Sequence, residues 1–180
     1  REIYELCRPL AIGSLSALRR IIQICELNLE VRKVTRVSDA LYDFGIIDVL
    51  DLWNVDHSGL PFKEATAEGG EAAATAVIEA VKLAYSGDID GLATAPLHKV
   101  AMKMAGFDYP GHTEIVGEFS DSPDPRMMLV AGKLRVIHVS THVGLAEAVQ
   151  LVKSPRVLEA ITILNSALLD LGIEAPKIAV

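Results

Sequence analysis

The sequence predicts an α/β fold, with a mostly parallel sheet and helices on both faces in a three-layer α/β/α arrangement. Three observations predict it. Strand-like apolar runs alternate with helix-like stretches along the whole chain. Cap residues punctuate the helical stretches, such as Ser14 before one and Gly172 after another. The 180 residues, 51% hydrophobic and 23% charged, are enough for a substantial core in a globular chain. Repeated alternation favours parallel pairing, because parallel strands need a long crossover and a helix usually supplies it.

The elements follow in order. Arg1-Glu2-Ile3 reads as the tail of a helix. Residues 9–12 form a short apolar strand, ended by Gly13-Ser14, and a helix is expected over 15–27. Residues 31–37 alternate as a half-buried strand does, and 46–52 is a further strand. A long Ala-rich helix spans 64–85, closed by Ser86-Gly87. Residues 90–94 read as a strand that Ala95-Pro96 breaks, before a helix from His98 to Gly106. A short helix starts near His112. Residues 127–130 and 134–139 are two adjacent strands joined by Ala131-Gly132-Lys133, an antiparallel addition. Helices over 145–152 and 155–171 follow, and a last strand opens at Lys177. No repeat, low-complexity tract or linker interrupts residues 1–180, which read as one partial α/β unit. A strand with nothing after it is an odd place for a domain to stop, so the natural protein is expected to continue on both sides.

Bulk properties narrow the function classes. The net charge is −7 with scattered Lys and Arg, so nucleic-acid binding is set aside. Apolar runs such as Leu129-Val130-Ala131 break well before the ~20 residues of a membrane span. Cys7 and Cys25 lie among apolar residues without CxxC spacing. They are expected as reduced, buried thiols, and with no visible signal peptide the expected compartment is the cytoplasm.

In open α/β sheets ligands sit beyond the carboxyl ends of strands, so polar residues just after strands are the candidates. The first group is Thr94-Ala95-Pro96-Leu97-His98-Lys99, where a helix start and the Lys99 cation suit an anionic ligand. The second is Tyr109-Pro110-Gly111-His112-Thr113-Glu114, a turn that places His112 and Thr113 at a helix N-terminus. Taken alone, both groups read first as plain helix capping. The third is Ser140-Thr141-His142, where a neutral imidazole could hold a metal, act as a base or be simply structural. His138 reads as structural and His57 as a solvated loop residue. No GxGxxG, GxxxxGK[ST] or HExxH motif is present, and Gly69-Gly70 lies inside the Ala-rich helix rather than in a phosphate loop.

The ordered set Thr94-Ala95-Pro96-Leu97-His98-Lys99, Ala105-Gly106, Tyr109-Pro110-Gly111-His112-Thr113-Glu114, Met127-Met128-Leu129, Thr141-His142 and Gly172-Ile173 with Pro176 resembles the signature of the 4-hydroxythreonine-4-phosphate dehydrogenase family. The resemblance covers nearly the whole chain. It implies a fold like that of isocitrate and isopropylmalate dehydrogenases, with two α/β/α lobes around a cleft in a homodimer whose site lies at the interface. It implies oxidation of a phosphorylated hydroxy acid with NAD or NADP and a divalent metal (Zn, Mg or Co), after which the ketoacid loses carbon dioxide. In vitamin B6 synthesis this supplies a precursor of the pyridine ring. By position, His112 and Thr113 match the substrate-binding pair and His142 matches one of three metal-binding histidines. The other two are expected beyond Val180, along with most of the nicotinamide-binding residues. Lys99 is expected to help hold an anionic group of the substrate.

Two departures point toward a sibling branch that acts on D-threonate or D-erythronate 4-phosphate, with a dihydrodiol dehydrogenase as a further relative. Gly144 stands where the B6 enzymes commonly have Pro, two residues after the metal histidine. Residues 45–52 read as an insertion typical of that branch. A non-catalytic binding domain that kept the fold is the competing class.

Overall fold

The computed structural model describes residues 2–53 and 56–180. They form two compact units, Arg1–Pro123 and Asp124–Val180.

The first unit is built on a three-stranded parallel sheet. Helix α1 (Glu2–Leu6) precedes strand β1 (Ala11–Gly13), helix α2 (Leu15–Ile24), strand β2 (Glu30–Val34) and strand β3 (Ile46–Asp51). The strand order is β1-β3-β2, with Ala11 beside Val49 and Arg32 beside Asp48. Ser14 starts α2 as expected, its hydroxyl accepting from the Ala17 N–H at 3.3 Å. Helix α2 packs on β2 and β3, and α3 (Ala67–Ser86) packs on β1. Asp48 and Val49 point to opposite faces of β3, and both are buried, so both faces of the central strand are covered. Residues 46–51 are therefore the centre of the sheet, matching the strand expected over 46–52.

Helix α3 carries the main core. Its Ala74, Val77, Ile78 and Val81 recur at the helical period and pack against Met102 of α4 (Lys99–Met104) and Ile115 of α5 (His112–Phe119). Met102 and Ile115 are fully enclosed, and each burial contributes about 2 kcal/mol. Leu92, Leu97, Phe107 and Tyr109 pack against the same cluster. The core thereby anchors the chain immediately before His98-Lys99 and immediately before Pro110-Gly111-His112.

The second unit pairs strand β4 (Met128–Ala131) with β5 (Leu134–Ile137) as an antiparallel hairpin, followed by α6 (Leu145–Leu151) and α7 (Ser154–Asp170). The hairpin and both helices stand where the sequence predicts them.

Several expectations are corrected. Residues 90–94 form no strand, because no strand among the described residues pairs with them and their backbone groups have no ladder to join. Residues 177–180 form no strand for the same reason. Strand β2 stops at Val34, and Val37–Asp39 turn instead into a single 3-10 turn. Cys7 and Cys25 are exposed, not buried. Each lies just past a helix end, and the neighbouring apolar residues Leu6, Ile24 and Leu27 are themselves exposed, so no core reaches either thiol. No helix among the described residues is long and apolar enough to cross a membrane.

Candidate functional site

In the first unit the two motif segments meet. His112 Nε2 lies 3.1 Å from the Ala95 carbonyl oxygen, tying the start of α5 to the 94–99 loop. A carbonyl only accepts, so Nε2 carries the proton, and the tautomer with its one proton there presents Nδ1 as an acceptor. Gly111 precedes α5 without any side-chain cap, which leaves the first N–H groups of that helix to other acceptors. Thr113 sits in this first turn beside His112. A helix N-terminus with free N–H groups and a hydroxyl favours an anion. Glu114 stands in the same turn and opposes one in part.

His98 is the N-cap of α4: its Nδ1 accepts from the Ala101 N–H at 3.3 Å. The capping reading therefore holds for His98. Lys99 is the first residue of α4 and is exposed, and its ammonium has no partner among the described residues. Behind α5, the Tyr109 hydroxyl donates to Glu118 at 3.0 Å. Burial pushes the Tyr109 phenol up, and the Glu118 carboxylate adds to that shift.

In the second unit His142 lies in the turn between β5 and α6. It is exposed and has a left-handed backbone, φ 59°. Its imidazole makes no hydrogen bond among the described residues, so either ring nitrogen is available as a donor atom to a cation. The chemistry of one free imidazole fits a divalent ion. A single imidazole does not hold one, and no cluster of three or more His, Cys, Asp or Glu side chains able to do so occurs among the described residues. His138, in the chain leaving β5, has a buried Nδ1 with no hydrogen-bond partner. Nothing in the structure explains that nitrogen.

His57 is not a solvated loop residue. Its Nδ1 lies 3.1 Å from Ser14 Oγ, its backbone N–H donates to Ser16 Oγ at 2.9 Å, and its ring meets Trp53 edge-on at 5.3 Å. Beside it Asp51, at the end of β3, accepts from the Leu15 N–H at 3.1 Å and pairs with Lys33 at 2.9 Å. Burial works to raise the Asp51 carboxyl, but these donors outweigh it and hold the group below the usual range. This polar cluster at the carboxyl ends of β1 and β3 docks the 56–60 segment onto α2. The partners of His57 lie more than 40 residues away and left no signal in the sequence spacing.

Comparison with known proteins places these features in one family. Residues 5–180 match the family model described as pyridoxal phosphate biosynthetic protein PdxA. A protein of Symbiobacterium thermophilum that carries the provisional name D-threonate 4-phosphate dehydrogenase is 37% identical over 99% of this chain and 53% of its own length. One of Oceanobacillus iheyensis with the same provisional name is 38% identical over the whole chain and 54% of its own length. A crystal structure of a 4-hydroxythreonine-4-phosphate dehydrogenase from Burkholderia phymatum superposes with a TM-score of 0.88 at 40% identity, covering 98% of this chain and 53% of that one. The corresponding enzyme of Klebsiella pneumoniae gives 0.85 at 32% identity, covering 93% of this chain and 51% of that one. The chain thus spans about half the length of the relatives it matches. A parallel β1-β3-β2 sheet, the joined 94–99 and 112–114 segments and a match running from residue 5 to 180 together make this chain a member of the PdxA family.

Proposed function

We propose that the protein carrying this chain is a dehydrogenase that oxidises a 4-phosphorylated hydroxy acid, such as 4-hydroxythreonine 4-phosphate, using NAD or NADP and a divalent metal ion. The observation that carries this reading is the junction of the two family motifs. The His112–Ala95 hydrogen bond sets an uncapped helix N-terminus, Thr113 and His112 Nδ1 beside the loop that leads to the free Lys99 ammonium. That set of groups suits a small anionic, hydroxylated ligand.

In this reading Thr113 and the first N–H groups of α5 bind an anionic group of the substrate. His112 Nδ1 accepts a hydrogen bond from a substrate hydroxyl, while its Nε2–H bond to Ala95 fixes the ring. Lys99 adds a positive charge that offsets the charge of the substrate. His142 contributes one imidazole toward the ion (Zn, Mg or Co), with further ligands supplied by other parts of the longer protein. When bound, the nicotinamide accepts hydride, while the ion lends Lewis acidity to the reacting oxygen and to the later loss of carbon dioxide. The assembly in this reading is a homodimer with the site at the subunit interface, located in the cytoplasm.

A second substrate, D-threonate 4-phosphate (or its D-erythronate analogue), is favoured by the names of the two relatives from Symbiobacterium and Oceanobacillus. Gly144 does not decide between them. Its φ of −64° and ψ of 153° are those a proline would adopt, and a Cβ there would meet nothing within 4 Å.

The test is NAD or NADP reduction by the full-length protein with each of these 4-phospho acids, after chelation and after adding back Zn, Mg or Co. Reduction with at least one acid, only when metal is present, is expected. Failure with every acid and metal would leave the binding-domain alternative standing. His112→Ala and Thr113→Ala are each expected to raise KM about tenfold, equivalent to ~1.4 kcal/mol.

A further inference from the structure

We propose that Arg126 is a positioning residue for His142: its guanidinium clamps the end of β5 so that the next turn presents the imidazole outward. The inference rests on the reading of His142 as a metal ligand.

The β4–β5 ladder ends at the pair Met128 and Ile137. The next two carbonyls, of His138 and Val139, have no strand to accept from. Side chains serve them instead. Arg126 Nη1 donates to His138 O at 3.0 Å and to Val139 O at 3.4 Å, and Arg156 Nε of α7 donates to Val139 O at 2.8 Å. Backbone carbonyls at a strand end need such partners, and here two guanidinium groups fix the direction in which the chain leaves the sheet.

Arg126 is itself rigidly held. Its side chain is only 6% exposed. Nε bonds Asp124 at 2.7 Å, and Nη2 bonds both Asp124 and Glu159, the latter at 3.1 Å. One edge of the guanidinium thus holds the carboxylates while Nη1 holds the carbonyls, which a planar fork can do and an ammonium cannot. The same guanidinium holds the Asp124 carboxyl below its usual range.

Three residues beyond the clamp, His142 adopts φ 59°. A non-glycine residue keeps that conformation only where its surroundings impose it. The imidazole makes no hydrogen bond of its own, so it does not hold the turn. The turn is fixed at its ends, by the guanidinium clamp on one side and by the start of α6 at Leu145 on the other. A strained turn with an unattached imidazole at its apex, and a buried guanidinium braced by two carboxylates at its base, is the arrangement expected of a ligand held ready for a cation.

The test uses the full-length, metal-free protein and its Arg126→Lys, Arg126→Gln, Glu159→Gln and His142→Ala variants. Co²⁺ titration in the absence of substrate and nicotinamide gives affinity and the Co²⁺ absorption spectrum. Hydrogen exchange of residues 138–145 without metal reports the turn directly. Arg126→Lys keeps the charge but not the fork. It is expected to speed exchange in the turn and to weaken Co²⁺ binding at least about tenfold with a changed spectrum. Glu159→Gln, which alters an exposed partner, is expected to act in the same direction more weakly. If Arg126→Gln does not fold, the Lys and Glu159 variants decide by the same criteria. Unchanged exchange in Arg126→Lys overturns the clamp. Faster exchange with parental Co²⁺ affinity, while His142→Ala loses binding, overturns the positioning role. Parental Co²⁺ affinity in His142→Ala overturns the metal reading on which the inference rests.

Discussion

Asp48 shows how much one side chain organises in the first unit. It is 1% exposed and takes a two-pronged contact from Arg32, at 2.5 and 3.0 Å. It also accepts the N–H groups of Leu41 and Tyr42, at 3.1 and 2.8 Å. The connection from β2 to β3 is thereby folded back onto the sheet centre, and Tyr42 is held with φ 58°. Asp48→Ala would leave the Arg32 guanidinium with only its exposed partner Asp43, and two N–H groups without their acceptor. We expect a stability loss of about 3 kcal/mol, read by urea denaturation. The Arg32 guanidinium keeps the Asp48 carboxyl below its usual range despite burial. The folded state therefore binds a proton less readily than the unfolded chain, whose carboxyl titrates near about 3.9. The contribution of the pair is complete above that value and is lost as pH falls below it toward the lower folded value. Unfolding curves taken from neutral pH downward are expected to show this loss, and the Asp48→Ala variant a flatter profile.

At the scale of elements, α3 joins the sheet to the site. Thr66 starts it by accepting from the Gly69 N–H at 3.0 Å, and Gly87 ends it in the left-handed conformation at φ 81°. Between those caps Gly70 permits backbone contact with α4: a Cβ there would fall 2.0 Å from the Ala101 carbonyl oxygen. Helix propensity alone favours Gly70→Ala by roughly 1 kcal/mol. Overpacking against an adjacent helix backbone costs about 1–3 kcal/mol plus local rearrangement, so the variant is expected to melt at a lower temperature. Because α4 begins at Lys99, the same variant is expected to raise substrate KM. A melting temperature at or above the parent would refute the close-approach argument.

At the scale of the molecule, the described residues make two compact units with different surfaces. On the β4–β5 hairpin, the side chains of Leu129, Ala131, Leu134 and Val136 share one face by strand alternation. Leu129 is 51% exposed and Leu134 62%. A two-stranded sheet with an open apolar face is weakly protected against association. Expressed alone, the 180-residue chain is expected to bind a hydrophobic dye, and Leu129→Lys with Leu134→Lys to reduce that binding. Equal dye fluorescence in the double variant would show that the hairpin face is not responsible.

The sequence by itself determined what depends on neighbours along the chain. Helix periods, the caps Ser14 and Gly87, the Pro110-Gly111 turn and the hairpin at 131–133 are local signals, and the elements they predict are present. The order of motifs identified the family, and His112, Thr113 and His142 were legible as candidates from it, with Lys99 added as a cation at an expected helix start. Only the tertiary structure decided what depends on residues far apart. Residues 90–94 have strand-like composition but no neighbour to pair with among the described residues, whereas residues 46–51 find neighbours on both sides and become the central strand. His57 meets Ser14 across 43 positions, and Arg126 meets Glu159 across 33. Strand pairing and side-chain networks are contacts between distant segments, and spacing along the chain does not encode which segments the fold brings together.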